Sequence, residues 1–136
     1  MQKHIIAIAG FVAALALASG TLAAEKTMNL SRNAKSGVDS RLAYSGRWDR
    51  NCNGVPVTVT ITRQPASGTV SVVDADEKIA ASTPASGSTG KCAGKTIKSK
   101  MIMYRSKPGF RGNDTVRYDS EGSGTIIHTT ISVTVQ

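Results

Sequence analysis

The sequence predicts an all-β protein, a single small β-sandwich closed by one disulfide, and three observations predict this fold. Beyond residue 24, apolar residues alternate with polar ones in several runs, and no stretch repeats apolar residues at helical spacing. The strand-like runs recur at intervals of about a dozen residues, separated by Gly, Pro, Asn and Asp, which is typical of small sandwiches. The chain has two cysteines, Cys52 and Cys92, which can pair only with each other.

Residues 1–24 are predicted to be a secretory signal peptide. Lys3 gives a basic start, and Ile5–Ala18 is almost wholly apolar, a run shorter than the ~20 residues that span a membrane. Small residues follow, and we expect cleavage after Ala23 or Ala24. The sequence therefore predicts an exported protein, periplasmic or secreted, that does not span the membrane after cleavage. The alternative is an uncleaved amphipathic anchor.

Export into an oxidising compartment predicts a disulfide between Cys52 and Cys92. Closing a loop of this length removes unfolded-state entropy worth about 4 kcal/mol. The alternative is a pair of metal-ligating thiolates. Two thiolates this far apart with no neighbouring His make a poor metal site, so we expect neither a metal nor a cofactor.

The first part of the mature chain contains a polar segment and two predicted strands. Residues 25–37 are polar and are expected to be a flexible segment ahead of a folded domain at 38–136. From Val55 to Ile61, apolar residues alternate with polar ones, which predicts a strand with one buried face. After a turn at 64–68, the alternation resumes in a second strand at Val70 and Val72. The acids that follow, Asp74, Asp76 and Glu77, are expected at a hydrated hairpin tip.

The second part of the chain contains a loop and three predicted strands. Residues 80–95 are rich in Ser, Thr, Gly and Ala, which predicts a long loop tethered by Cys92. Met101–Arg105 and Thr115–Tyr118 are short runs that suit a pleated surface. The clearest strand is 126–135, where the odd-numbered residues form an apolar face that includes Thr129.

The segment from Tyr104 to Tyr118 resembles the bacterial Ig-like and cadherin-like repeat domains of exported proteins. The residues that fit the repeat pattern are Tyr104, Gly109, Phe110, Gly112, Asp114 and Tyr118. A Gly-rich turn and a Val/Thr strand follow, and the resemblance covers roughly residues 55–136. It implies an Ig-like Greek-key sandwich. It implies little about function, because such modules serve as spacers, adhesin domains and carbohydrate-binding units.

The physical chemistry of these residues predicts structural roles. Phe110 can close one end of the sandwich, with Gly109 and Gly112 permitting a tight backbone. Asp114 can cap a turn by accepting backbone N–H bonds. Tyr118 can fill the core while its hydroxyl is satisfied at the sheet edge. Calcium binding by Asp114 is the alternative, although one Asp among several cations is a weak oxygen cage.

We expect no catalytic residues, and therefore no enzyme. His128 is the one histidine beyond residue 24, and its place on the polar face of the last strand predicts a solvated side chain. No motif of a known nucleophile, metal or phosphate site occurs. A carboxylate pair far apart in sequence, as in glycosidases, stays open because sequence does not give spatial distance.

Charge is the strongest functional signal. Sixteen Lys and Arg against nine acids give residues 25–136 a formal charge of +7. Eight of these cations lie close together in sequence, with Asp114 as the one acid among them: Lys91, Lys95, Lys98, Lys100, Arg105, Lys107, Arg111 and Arg117. On one edge they would attract an acidic polysaccharide, lipopolysaccharide or an acidic protein. We do not expect nucleic acid, which an exported protein rarely meets. The alternative is a solubilising surface that guards an edge strand against aggregation.

Trp48 is the second candidate binding residue. If exposed it could stack on a sugar ring, and if buried it would pack beside the disulfide, which we favour.

The sequence therefore predicts a non-catalytic binding module for an anionic envelope component or a protein partner. The alternative is a structural or interaction subunit of an envelope or surface assembly, docked through a sheet edge or the surface around Phe110.

Overall fold

The computed structural model describes residues 20, 22–81 and 90–136. In this part of the chain there are nine strands and no helix. The strands are β1 (Ala24–Ala34), β2 (Ser40–Ser45), β3 (Arg47–Trp48), β4 (Gly54–Val55), β5 (Thr58–Arg63), β6 (Gly68–Lys78), β7 (Thr96–Ser106), β8 (Gly112–Gly122) and β9 (Thr125–Val135). Most of the predicted signal peptide and residues 82–89 of the predicted loop lie outside the described residues.

Seven of the strands form two sheets. Sheet A has the order β1-β9-β8-β5, sheet B has the order β2-β7-β6, and β3 and β4 form a separate hairpin. β1 pairs with β9 in parallel and the other strand pairs are antiparallel. Strands β2, β7 and β6 take the places of strands B, E and D of an Ig-like sandwich, and β5, β8 and β9 those of C, F and G. The predicted fold class, a small all-β sandwich with one disulfide, is confirmed.

The core lies between the two sheets. The odd-numbered residues of β9 from Thr129 to Val135 are buried, as the alternation predicted. The even-numbered residues of β8 from Asp114 to Ser120 are buried against them. Sheet B contributes Leu42, Ile102 and Tyr104. This core contains two tyrosines and the carboxylate of Asp114, so its polar atoms need partners inside the protein.

The prediction of a flexible segment at 25–37 is corrected by strand β1. Its 11 residues pair with β9 without interruption. Ala34 is buried and Leu30 packs partly against the core, while the other side chains of the strand are exposed. The prediction failed because it depended on apolar alternation, whereas this edge strand is held mainly by backbone hydrogen bonds. The folded domain therefore begins at Ala24 and not at residue 38.

Two further strand predictions needed correction. The run from Val55 to Ile61 is divided into β4 and β5, because Pro56 has no N–H to donate to a ladder. The acids expected at a hairpin tip, Asp74, Asp76 and Glu77, lie inside β6, which continues to Lys78. The alternation ends at Val72 because the later part of β6 places charged side chains on a solvent-accessible face.

The long β6–β7 hairpin buries opposite faces in its two halves. Its pairing is continuous from Gly68↔Ser106 to Lys78↔Thr96. In the half near Ser106, the even-numbered residues of β7 face the main core. In the half near Thr96, the odd-numbered Ile97 is buried instead, against the β3–β4 hairpin. The end of β6–β7 thus extends past the main core and carries a small second core.

Candidate functional site

The eight clustered cations of the sequence do not form one surface. Three of them lie in β7 and pair with acids: Lys98 with Asp76 at 2.7 Å, Lys100 with Asp74, and Arg105 with Asp39 at 2.9 Å. The hydrogen bond and charge of Asp76 raise the pKa of Lys98. The two lysine pairs follow from the β6–β7 register, which places Asp76 opposite Lys98 and Asp74 opposite Lys100, whereas Asp39 lies just before β2. The three cations in β7 are therefore largely neutralised.

The other five predicted cations are divided among three places. Lys91 and Lys95 lie in the turns before β7, and Lys107 and Arg111 lie in the β7–β8 connection. Arg117 lies on the outer face of sheet A. Each of the five is exposed, and none forms an ion pair within residues 22–81 and 90–136.

The Cys52–Cys92 disulfide holds together what we call the disulfide lobe, residues 46–57, 78–81 and 90–95. The disulfide is formed, with the two Cα atoms 5.2 Å apart. Cys92 is fully buried with Ile79 and Ile97, and Trp48 packs against this cluster as a partly buried side chain. The favoured position for Trp48, beside the disulfide, agrees with this packing. In addition to this small apolar cluster, the disulfide fixes the segment 46–57 covalently to the turns that precede β7.

Backbone hydrogen bonds fix the turns of the lobe. The Ile79 N–H donates to the Lys95 carbonyl at 2.9 Å, and the Gly94 N–H donates to the Ile79 carbonyl at 2.8 Å. On the other side of the disulfide, the Asp49 carboxylate accepts the N–H groups of Asn51 and Asn53. The hydrogen bond from the Asn53 backbone is the main cause that lowers the pKa of Asp49. The Asp49 carboxylate is therefore occupied by its own turn.

Four exposed cations surround the lobe, and none has an acidic partner among the described residues: Arg50, Lys78, Lys91 and Lys95. Lys91 Nζ donates to the Arg50 carbonyl at 3.4 Å, which brings these two residues side by side. The Ile79 N–H donates to the Lys95 carbonyl, and Lys78 is the register partner of Thr96, so Lys78 and Lys95 lie in adjacent positions at the end of β6–β7. Lys91 and Lys95 were predicted as binding residues because they belong to the cation-rich segment of the sequence. Arg50 is brought near them by the disulfide, and Lys78 by the β6–β7 pairing.

An open groove of about 490 Å³ lies beside the lobe. One wall is the connection from Gly54 to Val57, and the other is the start of β7 from Thr96 to Lys100, with Asp74. Its apolar part comes from Val55, Pro56 and Val57, and its charged part is the Lys100–Asp74 ion pair together with Lys98, which pairs with Asp76. The groove is thus partly apolar, and both of the lysines that line it are paired with acids.

The residues of the predicted structural motif lie at the opposite end of the sandwich. Asp114 accepts the Ala66 N–H at 2.9 Å, the Ser67 N–H at 3.0 Å and the Tyr104 hydroxyl at 3.0 Å. Asp114 therefore caps a turn, as the sequence suggested, but the turn is the one between β5 and β6. With its oxygens so engaged, Asp114 is not arranged as a calcium ligand.

The turn that contains Gly109 and Phe110 lies at the same end of the sandwich as Asp114. The Phe110 N–H closes a turn on the Lys107 carbonyl at 3.1 Å, with Pro108 second and Gly109 third at φ 80°. Phe110 packs against the edge of the core, and Gly112 lies beside its ring. Burial raises the pKa of Tyr104 and of Tyr118.

The outer face of sheet A contains an interaction that the sequence did not indicate. His128, expected to be simply solvated, has Nδ1 2.8 Å from Asp119 Oδ1 and Nε2 3.9 Å from Glu25 Oε2. The register explains this, because Asp119 is opposite His128 on β8, while Glu25 lies on β1, on the other side. The dyad lies on an open sheet face and outside the groove. No group of three or more His, Cys, Asp or Glu suited to a metal occurs in the described chain.

Comparisons with protein-family models, with curated proteins and with solved structures find no match to this chain. Among the described residues there is no helix long and apolar enough to cross a membrane. The disulfide is typical of proteins outside the reducing cytoplasm.

Proposed function

We propose that this protein is an exported, non-catalytic Ig-like module that binds an anionic envelope component, or an acidic protein partner, through the disulfide lobe. The observation that carries the proposal is the set of four exposed cations around one disulfide, with the nearby Asp49 occupied by its own turn. Export is supported by the sequence of residues 1–24 and by the disulfide. The resemblance to exported Ig-like repeats is compatible with this proposal, since binding units are among the roles of such modules.

The electrostatics favour a ligand with several negative charges. Attraction between exposed charges is screened over about 10 Å at 0.1 M salt, so cations must lie close together to act on one ligand. The disulfide and the backbone bonds of Ile79 hold the turns that present Lys91 and Lys95. A pre-arranged surface loses less entropy on binding. An acidic polysaccharide or the phosphates of lipopolysaccharide fit this description.

Binding to immobilised polygalacturonate and to lipopolysaccharide, measured by biolayer interferometry, tests the proposal. The oxidised protein should bind at about 0.02 M salt and dissociate at about 0.5 M salt, because surface electrostatics are screened. Lys91→Glu with Lys95→Glu should reduce low-salt affinity by about tenfold or more, since two attractions become repulsions.

The matched control is Lys107→Glu with Arg111→Glu, which changes the net charge equally at the far end of the sandwich. It should reduce affinity by about threefold at most, through long-range attraction alone. Equal losses in both double variants would contradict a lobe site. No binding at low salt would contradict the proposal as a whole and leave the positive charge as a solubility feature.

A second candidate function, a structural or interaction subunit, is favoured by one observation on sheet B. Tyr44 and Val73 both pair with Met101, so the three form one row across the outer face, with Val73 42% exposed. Met103 lies next along the same strand face. An apolar row of this kind can dock to another protein. This function predicts a defined complex that survives moderate salt, measured by light scattering, and that Val73→Asp disrupts while the lobe variant does not.

A further inference from the structure

Two arginines lie directly opposite each other on the outer face of sheet A. In the β5–β8 pairing, Arg63 is the register partner of Arg117, and both are exposed. Arg117 belongs to the cation-rich segment of the sequence, whereas Arg63 lies far from that segment along the chain. Like charges directly opposite each other destabilise an antiparallel pair. The pair therefore does not stabilise the sheet.

A β-bulge creates this pair. The register shifts between Ile61, which pairs with Tyr118, and Arg63, which pairs with Arg117, so Thr62 is the extra residue. Without the shift, regular pairing would place Thr62 opposite Arg117 and Arg63 opposite the core residue Val116. Bulges commonly redirect a side chain in this way. Here the bulge directs a second guanidinium to the outer face.

Neither guanidinium is neutralised by the protein. Within residues 22–81 and 90–136, Arg63 and Arg117 form no ion pair and no side-chain hydrogen bond, although Arg41 and Arg105 pair with acids. The nearest acid on the same face of β8 is Asp119, two residues from Arg117, and it contacts His128 at 2.8 Å instead. The Asp119 carboxylate thus contacts His128 and forms an ion pair with neither arginine.

The surroundings of the pair are rich in hydroxyl and amide groups. In register with Arg117 are Thr130 on β9 and, beyond it, Asn29 on β1. Of the two adjacent rows on the same face, one contains Thr115, Ser132 and Ser31, and the other contains the His128–Asp119 dyad between Thr60 and Thr27. Such groups hydrogen-bond to sugar hydroxyls.

A membrane surface is a poorer match for this face. The large hydrophobic residues that are exposed in the described chain lie elsewhere: Leu22, Met28, Val38 and Val73. Met28, although on β1, pairs with the buried Thr129 and so shares the inner side of the sheet. Peripheral membrane binding depends on apolar side chains that enter the lipid, and this face presents none of those four.

We propose that Arg63 and Arg117 form an oxyanion site for an acidic glycan, binding its carboxylate or sulfate groups while the neighbouring Thr, Ser and Asn side chains contact its hydroxyls. Two guanidinium groups can each donate paired N–H bonds to one oxyanion, which gives geometric selectivity that a lysine pair lacks. The site is on sheet A and does not depend on the disulfide lobe, so either site can fail without the other.

Backbone amide chemical shifts of the oxidised protein, titrated with oligogalacturonate, with a sulfated oligosaccharide and with vesicles containing phosphatidylglycerol, test this site. We expect saturable shifts at residues 62–63, 115–117 and 130 with one or both glycans. Arg63→Gln with Arg117→Gln should weaken this binding about tenfold or more, because the paired N–H donors of both guanidinium groups are lost. Lys107→Gln with Arg111→Gln, of equal charge change, should weaken it by no more than about threefold.

The controls separate this site from the lobe and from a lipid surface. The Lys91→Glu, Lys95→Glu variant should keep the shifts on sheet A, even if its binding to polyanions through the lobe is lost. If the Arg63→Gln, Arg117→Gln variant and the Lys107→Gln, Arg111→Gln variant weaken glycan binding equally, the proposal is overturned. Shifts at this face with vesicles and with neither glycan would also overturn it, in favour of a lipid surface.

Discussion

At the scale of single residues, Asp114 joins three parts of the structure. It lies on β8, caps the β5–β6 turn through Ala66 and Ser67, and accepts the hydroxyl of Tyr104 from β7. Asp114 is 6% exposed, and of the donors that it satisfies the Tyr104 hydroxyl is buried and the two backbone N–H groups are partly buried. The C-terminal motif of the sequence therefore has a structural role at the end of the sandwich distant from the disulfide lobe.

Asp114→Ala should lower the free energy of unfolding by about 3 kcal/mol, because it leaves the buried Tyr104 hydroxyl and two partly buried backbone N–H groups without an acceptor. Asp114→Asn should cost less, since one oxygen acceptor remains. Urea unfolding measures both. Asp119→Asn is the control, because its partner is the half-exposed His128 and an exposed ion pair is worth about 1 kcal/mol or less. An equal loss for Asp114→Ala and Asp119→Asn would contradict the capping role.

The alkaline stability of the protein should depend on Tyr104. Burial, with the hydrogen bond to Asp114, raises the pKa of Tyr104. The unfolded chain releases the phenolic proton near pH 10 while the folded protein keeps it. The contribution of Tyr104 is therefore fully present below about pH 10 and is lost as the pH rises toward the higher folded pKa.

Urea unfolding between about pH 9 and pH 11.5 measures this dependence. The free energy of unfolding should fall more steeply for the wild type than for Tyr104→Phe, by up to about 1.4 kcal/mol per pH unit. The conservative change removes the titrating hydroxyl and keeps the ring in the core. Parallel slopes for the two proteins would show that Tyr104 does not titrate differently in the folded state.

At the scale of the elements, the disulfide joins the segment between β3 and β4 to a small second core at the end of β6–β7. The buried part of that core consists of Ile79, Cys92 and Ile97, and residues of the β3–β4 hairpin pack against it. Few apolar side chains stabilise the lobe, so the cross-link is important to it. The main core does not contain either cysteine.

Cys52→Ser with Cys92→Ser should destabilise the lobe more than the sandwich. The loop-entropy model gives a loss of about 4 kcal/mol for a closed loop of this length. Hydrogen exchange should show lost protection at the amides of Ile79 and Gly94, which donate within the lobe. Amides of β8 and β9 should stay protected. Uniform loss of protection throughout the chain would contradict a separate lobe.

The strands that the sequence predicted are those with apolar alternation. β9 and the core half of β8 show it, and their buried faces agree with the prediction. β1 and the second half of β6 have polar or charged side chains on both faces, so their pairing by backbone hydrogen bonds has no period-two signal. The disulfide followed from the count of cysteines, because only one pairing is possible.

The candidate sites were less predictable than the fold, because they depend on register. Nothing in the sequence separates Lys98 and Lys100, which have acidic partners, from Lys91 and Lys95, which have none among the described residues. The difference arises from the pairing of β7 with β6. Arg63 lies opposite Arg117 because of a one-residue bulge, and the sequence contains no clear signal for that bulge. His128 lies opposite Asp119 because of the β8–β9 register, which the sequence does not reveal either.

At the scale of the whole molecule, the net charge is unevenly distributed. Four ion pairs join sheet and loop residues, and they use Asp39, Asp74, Asp76 and Glu77. The cations without acidic partners among the described residues remain on the disulfide lobe, at the β7–β8 end and on sheet A. Such an arrangement lets separate surfaces attract anions, whereas an even mixture of charges would mainly favour solubility.

Trp48 allows a direct test of the lobe as the binding surface. It is the one tryptophan of the chain and packs against the disulfide cluster, so its fluorescence reports on the lobe. Titration of the oxidised protein with polygalacturonate at low salt should give a saturable change in Trp48 emission. The change should disappear at about 0.5 M salt and in the Lys91→Glu, Lys95→Glu variant, but persist in Lys107→Glu, Arg111→Glu. Binding detected by interferometry with no change in Trp48 emission, or an equal change in both variants, would contradict the assignment of the lobe.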